Sequence, residues 1–148
     1  MSSDEIYVPL GGPPRVNPPS REIYGRMGEA NIYLMLADFY AELEQSSIRD
    51  MFPKDMERAS TKSAAFFIGM FGGPPIYQMK YGNPMMRARH MPFPIDEPAR
   101  QVWLDCFNRT LDRSVEKYDF PEEHLAEFRQ FLVGFSTWMV NRRSEIGD

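Results

Sequence analysis

The sequence predicts an all-α fold, and three observations support this prediction. Four stretches, residues 29–45, 55–71, 96–117 and 121–142, carry apolar side chains at intervals of three and four, which is the period of one helical face. Proline and glycine residues separate these stretches and act as helix stops. No segment of any length alternates polar and apolar residues with period two, so β-strands are not expected.

Length and composition fit a single globular domain. The chain has 148 residues, enough for one core, and a hydrophobic content of 43%. No apolar run approaches the roughly 20 residues of a membrane helix, and the acidic start lacks the features of a secretory signal, so a cytoplasmic location without membrane contact is expected. Cys106 is the single cysteine and cannot form an intrachain disulfide. The net charge of -4 argues against nucleic acid as a partner, because binding phosphates calls for a basic surplus.

Residues 1–20 form a proline-rich N-terminal extension, which we expect to be extended or disordered. Proline fixes its own backbone and lacks an amide donor, so the five prolines of this stretch disfavour a helix. The apolar residues between positions 6 and 10 could still lay the extension along the domain surface. The folded domain is expected to cover residues 21–148.

The first two long helices are predicted at residues 29–45 and 55–71, joined by a short turn that ends at Pro53. The second helix must stop at Gly72-Gly73-Pro74-Pro75, because two consecutive prolines cannot continue a helix. The two apolar stripes consist of Ile32, Met35, Leu36, Phe39, Tyr40 and Leu43, and of Met56, Ala59, Ser63, Phe66, Phe67 and Met70.

Residues 76–95 are predicted to be irregular, apart from one short helix that begins at Pro84 and ends at His90. Asn83 is a suitable cap, and proline is favoured at the first helical position. A third long helix, capped by Asp96, is predicted at residues 96–117, and the last at 121–142. Their stripes consist of Ala99, Val102, Trp103, Cys106, Phe107, Thr110 and Leu111, and of Leu125, Phe128, Phe131, Leu132, Phe135, Trp138 and Met139.

His90 is the sharpest candidate for chemistry, because it ends the short helix and is followed by Met91-Pro92-Phe93-Pro94. A histidine that binds iron needs a neutral imidazole nitrogen, and a hydrogen bond from its other ring nitrogen fixes the ring. Carbonyl groups in the last turn of a short helix lack intrahelical partners and can accept that bond. The alternative is a surface histidine in a basic patch, and the local features leave that alternative open. His124, the other histidine, follows two glutamates and is expected to face solvent.

The surroundings of His90 resemble the group II truncated haemoglobins. The matching segments are Gly72-Gly73-Pro74-Pro75-Ile76-Tyr77, then Gly82-Asn83-Pro84-Met85-Met86-Arg87-Ala88-Arg89-His90-Met91-Pro92-Phe93-Pro94-Ile95, then Trp103-Leu104-Asp105-Cys106. Phe39-Tyr40 and Phe52-Pro53 resemble the family's second helix and the turn that follows it. The resemblance covers roughly residues 22–143, and its motifs agree in both order and spacing. One departure is Gly28-Glu29, where family members usually carry a Gly-Gly pair.

The resemblance implies a globin-like fold, the truncated two-over-two helical sandwich, in which helices 29–45 and 55–71 pack against helices 96–117 and 121–142. It also implies haem b (iron protoporphyrin IX) as the cofactor and His90 as the proximal ligand of its iron. Tyr40 and Trp103 would donate hydrogen bonds to a gas bound on the distal side.

Further positions are assigned by the same resemblance. Ala59 would leave access to the distal side open, while Ser63 would act as a third donor or hold a water, or bond back to its own helix. The expected partners of the haem propionates are Lys62, Tyr77 and Arg89, with Arg87 beside them. The expected apolar contacts of the haem are Phe52, Phe66, Met86, Phe93, Val102 and Phe107.

Two functions remain open for such a protein, which we expect to be a monomer or a homodimer. In the first, it binds oxygen, or another diatomic gas such as carbon monoxide or nitric oxide, as a carrier, store or sensor. Alternatively it is a haem redox enzyme, a nitric oxide dioxygenase or a peroxidase-like protein, supplied with electrons by an unknown reductase. A peroxidase usually needs a general base beside the iron, and Tyr40 is a poor base at neutral pH. Haem and oxygen binding is therefore preferred, and a helical protein without a cofactor is the third alternative.

Overall fold

The computed structural model describes residues 6–10, 12–13 and 16–143, and throughout these ranges the regular structure is helical, without a β-strand. The all-α prediction is confirmed. The α-helices are α1 (Ile23–Met27), α2 (Glu29–Glu44), α3 (Met56–Met70), α4 (Ile76–Tyr81), α5 (Met86–His90), α6 (Glu97–Leu111), α7 (Ser114–Tyr118) and α8 (Leu125–Met139). Two short 3-10 helices lie at Arg49–Met51 and Glu122–His124. None of the helices in the described ranges combines the length and apolar character that a membrane span requires.

The core lies between two pairs of helices, as the predicted two-over-two sandwich requires. Helix α2 packs on α3 and on α6, and α6 packs on α8. Phe39 of α2 stacks on Phe107 of α6 with ring centroids 4.1 Å apart, and Phe67 of α3 meets Phe128 of α8 at 5.8 Å. All four rings are buried. Burial of each such side chain stabilises the fold by about 1.5–3 kcal/mol relative to exposure, so these aromatic contacts hold the four helices together.

Aspartate side chains begin two of the four long helices. The Asp55 carboxylate accepts a hydrogen bond from the Arg58 amide at 3.0 Å, and the Asp96 carboxylate accepts one from the Ala99 amide at 3.0 Å. Each bond satisfies one of the amide donors that the first turn leaves without a partner. Gly28, with φ of 83°, separates α1 from α2, so one glycine in the left-handed region is enough to turn the chain at this corner.

The Gly72-Gly73 pair does more than stop α3. A Cβ at Gly72, whose φ is 99°, would lie 2.0 Å from the Arg21 carbonyl oxygen, and a Cβ at Gly73 would lie 2.5 Å from the Tyr24 ring. The Tyr24 amide donates to the Phe71 carbonyl at 2.9 Å. The two glycines therefore allow the start of the domain to pack directly on the end of α3.

Several predicted helix boundaries are wrong. The stretch 96–117 is two helices, because α6 ends at Leu111 and α7 starts at Ser114, whose hydroxyl donates to the Leu111 carbonyl at 2.7 Å. Residues 76–81, predicted to be irregular, form α4, since a proline is tolerated where a helix begins and Pro75 is its N-cap. The short helix α5 begins at Met86 and not at Pro84, because Met85 has a left-handed backbone with φ of 32°. The last helix, predicted at 121–142, spans Leu125–Met139 behind a 3-10 turn.

Helix α7 is attached to α2 through Asp38. The Tyr118 hydroxyl donates to the Asp38 carboxylate, and Lys117 Nζ lies 2.8 Å from the same oxygen. Burial opposes ionisation of Asp38, but these hydrogen bonds and the nearby charges of Lys117 and Arg113 outweigh it and lower its pKa. The same contact raises the pKa of Tyr118, whose burial is the larger cause.

The described part of the N-terminal extension runs along the domain without forming a helix. The Tyr7 amide donates to the Asn141 carbonyl at 2.8 Å. Pro9 is buried, whereas Leu10 is 97% exposed. We call residues 6–10 the N-terminal strap. Of the extension, residues 1–5, 11, 14 and 15 lie outside the described residues, and the predicted boundary at residue 20 stays a prediction.

Candidate functional site

His90 is the last residue of α5, and its ring is tied to its own helix. Nδ1 lies 2.6 Å from the Met86 carbonyl oxygen one turn earlier, so Nδ1 carries the proton and donates it. Burial of the imidazole lowers its pKa and the charge of Lys62 lowers it further, whereas the bond to Met86 acts in the opposite direction. The neutral ring keeps the lone pair of Nε2, which has no hydrogen-bond partner among the described residues. This is the state in which a histidine binds a metal.

Helix α5 has little hydrophobic anchoring, since its residues are part-exposed or exposed and only the ring of His90 is largely shielded from solvent. Arg87 ties it instead to the end of α8 and to the N-terminal strap. Nη1 donates to the carbonyl oxygens of Trp138 at 2.5 Å and Val140 at 2.8 Å, and Nη2 donates to that of Tyr7 at 2.8 Å. The guanidinium also lies 4.6 Å from the centre of the Trp138 ring. The described contacts of Arg87 thus point towards α8 and the strap, where they fix α5.

Asn141, just beyond the end of α8, was not among the predicted site residues. It is fully buried, and its amide Nδ2 donates to the carbonyl oxygens of His90 at 3.2 Å and Phe93 at 3.0 Å. Its Oδ1 accepts from the Ile95 amide at 2.9 Å. Sequence reasoning had no signal for this residue, because an asparagine that follows an amphipathic helix is typical of an exposed helix end.

The predicted distal residues Tyr40 and Trp103 both contact Phe39. Both rings meet Phe39 edge-on, with centroid distances of 5.4 Å for Tyr40 and 5.6 Å for Trp103. Tyr40 also meets Phe52 edge-on at 5.8 Å. The aromatic packing fixes the two rings, and both remain part-buried rather than enclosed by the core. The structure therefore brings a phenol from α2 and an indole from α6 to one aromatic cluster.

Ser63 and Lys62 connect this cluster with His90, because they are neighbours on α3. Burial raises the pKa of the Tyr40 hydroxyl, while the hydroxyl of Ser63 beside it lowers that pKa by a smaller amount. Lys62, the preceding residue, is close enough to His90 for its charge to lower the histidine's pKa. Ala59, one turn earlier on α3, is part-buried. One face of α3 thus lies beside both Tyr40, a predicted distal residue, and His90, the predicted ligand of the iron.

Three of the four predicted propionate partners form one cluster. Lys62 Nζ lies 5.0 Å from the centre of the Tyr81 ring, which is itself 5.1 Å from the Tyr77 ring. The Arg89 guanidinium lies 5.3 Å from the Tyr77 ring, and its Nη2 donates to the carbonyl oxygens of Tyr81 at 2.7 Å and Asn83 at 2.8 Å. Arg89 therefore holds the loop before α5, and Arg87 lies apart from this cluster.

The predicted apolar contacts differ in exposure. Phe107 is completely buried and supports Phe39 from inside the core. Phe93 is 43% exposed. The remaining four are part-buried; they are Phe52, Phe66, Met86 and Val102.

An apolar cleft of about 630 Å³ opens between α5 and α8. Phe66 and Met86, two of the predicted haem contacts, line it together with Phe135 and Trp138, whereas His90 does not. The cleft therefore lies between α5 and α8 and does not include the predicted iron ligand.

Comparisons with known proteins agree with this arrangement. The family described as bacterial-like globin matches residues 5–136. The group 2 truncated hemoglobin YjbI of Bacillus subtilis is 31% identical over 112 residues, which is 75% of this chain and 79% of the relative. Among solved structures, phosphate-bound Hell's gate globin IV superposes with a TM-score of 0.80 at 35% identity, covering 90% of this chain and 82% of that one. The group II truncated hemoglobin from Bacillus anthracis gives 0.75 at 28% identity, with 88% and 98% covered.

A two-over-two helical sandwich with a histidine at the end of a short helix defines a class of haem-binding globins. This chain belongs to the bacterial-like globin family and is a group II truncated haemoglobin. Its own residues fit a haem, because the Nε2 lone pair of His90 is free among the described contacts and part-buried aromatic rings lie nearby. The cations Lys62 and Arg89 suit the anionic edge of such a cofactor.

Proposed function

We propose that this globin binds haem b through His90 and binds oxygen at a polar distal pocket formed by Tyr40, Trp103 and Ser63. The observation that carries the proposal is the state of His90. Its Nδ1 proton is held by Met86 and burial keeps the ring neutral, so Nε2 alone is offered as a ligand. Held by His90, a haem would supply an iron that can bind a diatomic gas.

On the distal side the chain supplies hydrogen-bond donors. Bound oxygen carries partial negative charge, and a donor in a pocket that excludes water stabilises this charge more strongly than a donor in water. The raised pKa of Tyr40 keeps its hydroxyl protonated at neutral pH, so it donates. Trp103 has only a donor, its indole N–H. Both groups therefore favour retention of a polar gas over its release.

Ser63 and Ala59 complete the distal side in this proposal. The hydroxyl of Ser63 beside Tyr40 orients the phenol or donates as a third group. Ala59 is small, and we infer that it leaves the approach from solvent open.

Lys62, Tyr77 and Arg89 are the proposed partners of the haem propionates. Lys62 has no salt bridge among the described residues, and its Nζ approaches only an aromatic ring. Arg89 donates hydrogen bonds to the loop carbonyls, and its guanidinium charge lies close to the ring of Tyr77. Arg87 is not among the proposed propionate partners, because its described hydrogen bonds go to the end of α8 and to the N-terminal strap.

Oxygen binding is preferred over redox catalysis for a reason specific to Tyr40. A peroxidase-like reaction needs a base on the distal side, and the raised pKa makes Tyr40 an even weaker base than a free tyrosine. Nitric oxide oxidation needs no such base, but it needs electrons from a reductase. The proposed partners are therefore oxygen, carbon monoxide and nitric oxide, with a reductase only if turnover occurs.

The axial assignment is tested by the absorption spectrum of the purified protein with two histidine variants. His90→Ala should lose haem, or retain haem that takes up added imidazole, since it removes the proposed ligand. His124→Ala is the matched control, because His124 is at the protein surface and pairs with Glu22 at 3.2 Å. Equal spectra for the two variants would refute the assignment, and a wild-type protein without haem would refute the proposed function.

A further inference from the structure

The position of α5 is not set by core packing. All five of its residues are at least part-exposed, and no side chain caps its first turn. A short helix with so few apolar contacts has little stability of its own. Contacts from outside the helix must therefore fix it, and with it the ring of His90.

The imidazole and α5 move together, because the ring is bonded to the carbonyl of Met86 within the same helix. Whatever holds the end of α5 therefore also sets the direction of Nε2. The carbonyl of His90 belongs to the last turn, where the helix itself provides no donor. Two groups outside the helix donate to it, the Phe93 amide at 2.9 Å and Asn141 Nδ2 at 3.2 Å, and Asn141 is the one that connects this carbonyl to the end of α8.

Asn141 is suited to this task because its side chain is completely buried and fully bonded. The second proton of Nδ2 reaches the Phe93 carbonyl at 3.0 Å, and Oδ1 accepts from the Ile95 amide at 2.9 Å. Its backbone amide also donates to the Ile95 carbonyl at 2.9 Å. A buried amide with a partner for each group is costly to displace, so it fixes both ends of the turn that follows His90.

The N-terminal strap closes a ring around this contact. The Tyr7 amide donates to the Asn141 carbonyl at 2.8 Å, and the Tyr7 carbonyl accepts from Arg87 at 2.8 Å. Arg87 in turn donates to Val140, the neighbour of Asn141. The strap thus connects the middle of α5 with the residue that holds its end.

We propose that Asn141 is a positioning residue for His90, and that it sets the orientation of the proximal imidazole relative to the haem. The inference rests on the proposed function, since it assumes His90 as the axial ligand. Asn141 itself does not touch the iron. It acts through the His90 carbonyl, and the strap supports it through Tyr7.

The test uses Asn141→Asp in the full-length haem protein. This change keeps Oδ1 for Ile95 and replaces Nδ2 by a carboxylate oxygen, so the carbonyls of His90 and Phe93 lose the donor from residue 141 and face an acceptor instead. The iron–histidine stretching band in the resonance Raman spectrum of the ferrous protein should shift and broaden. Transfer of haem to apomyoglobin should accelerate roughly thirtyfold, the factor that corresponds to loss of two hydrogen bonds of ordinary strength.

Asn31→Asp is the matched control, because it makes the same chemical change on α2. The Nδ2 of Asn31 donates to the Met27 carbonyl at 3.0 Å, away from α5. It should lower the free energy of unfolding without moving the Raman band. The positioning role would be refuted if Asn141→Asp and Asn31→Asp lowered the free energy of unfolding equally and neither variant shifted the iron–histidine band. Failure of the wild-type protein to hold haem would instead refute the proposed function on which it rests.

Discussion

Replacement of Tyr40 by phenylalanine removes one hydroxyl and keeps the ring that packs edge-on against Phe39 and Phe52. Trp103→Phe similarly keeps an aromatic ring against Phe39 while it removes the indole N–H. The packing is thus nearly preserved, and the interaction removed is the hydrogen bond that we propose to bound oxygen. A hydrogen bond to a charged acceptor contributes about 1.5–3 kcal/mol. Each variant should therefore release oxygen at least about tenfold faster, since 1.36 kcal/mol corresponds to a factor of ten.

The assay is stopped-flow release of oxygen and of carbon monoxide from the wild type, the two single variants and the double variant. Bound carbon monoxide is less polar, so its release should change much less. The double variant should deviate from additivity, because two donors that share one acceptor are coupled. Tyr33→Phe serves as a control on the same helix, since Tyr33 packs on the core and has no proposed distal role.

Two results would contradict this reasoning in different ways. Equal acceleration for the two gases would mean that the side chains act by blocking the exit and not by donating hydrogen bonds. Unchanged release of both gases in all variants would place Tyr40 and Trp103 outside the distal pocket.

Three further predictions concern the fold. Deletion of residues 1–10 removes the Tyr7 carbonyl from Arg87, so haem transfer to apomyoglobin should accelerate; an unchanged transfer rate would show that the strap does not support α5. Gly72→Ala should lower the urea midpoint strongly, because its Cβ would lie 2.0 Å from the Arg21 carbonyl, and a midpoint within error of the wild type would refute this clash. Asp38 has a lowered pKa in the folded state, so its contribution is present above its ordinary pKa of 3.8 and is lost as the pH falls below that value. Urea unfolding between pH 2.5 and 5 should show a smaller loss of stability on acidification for Asp38→Asn than for the wild type, and equal slopes would contradict the assigned pKa.

The long helices could be predicted because their apolar period is set by burial against the core. The two strongest stops, Gly72-Gly73 and the prolines after them, were also predictable from backbone geometry. The break within residues 96–117 and the helix α4 within residues 76–95 could not be predicted. The break before Ser114 depends on a side-chain bond to a neighbouring carbonyl, and α4 depends on a proline acting as a helix start, which periodicity does not reveal.

The residues of the candidate site were also predictable only in part from the sequence. The local features left a surface histidine as an alternative for His90, and its assignment as the haem ligand was implied by the resemblance of the motifs around it. Arg87 was placed beside the propionate partners by the same resemblance. Its described bonds go to three backbone carbonyls, one of them in the N-terminal strap 80 residues away, and sequence spacing carries no information about such a contact. Asn141 was missed for the same reason, because its partners are backbone groups.

The two sides of the site are held by different forces. Tyr40 and Trp103 are fixed by edge-on contacts with Phe39, whose ring is almost completely buried, so displacing them disturbs the core. His90 belongs to a helix without a buried residue, and the hydrogen bonds of Arg87 and Asn141 hold that helix in place. Opening of α5 exposes little apolar surface and costs mainly these polar bonds, whereas displacing Tyr40 and Trp103 requires part of the core to unfold. Local fluctuations should therefore release α5 first, and the hydrogen bonds from residues 138–141 and the strap should set how often this happens.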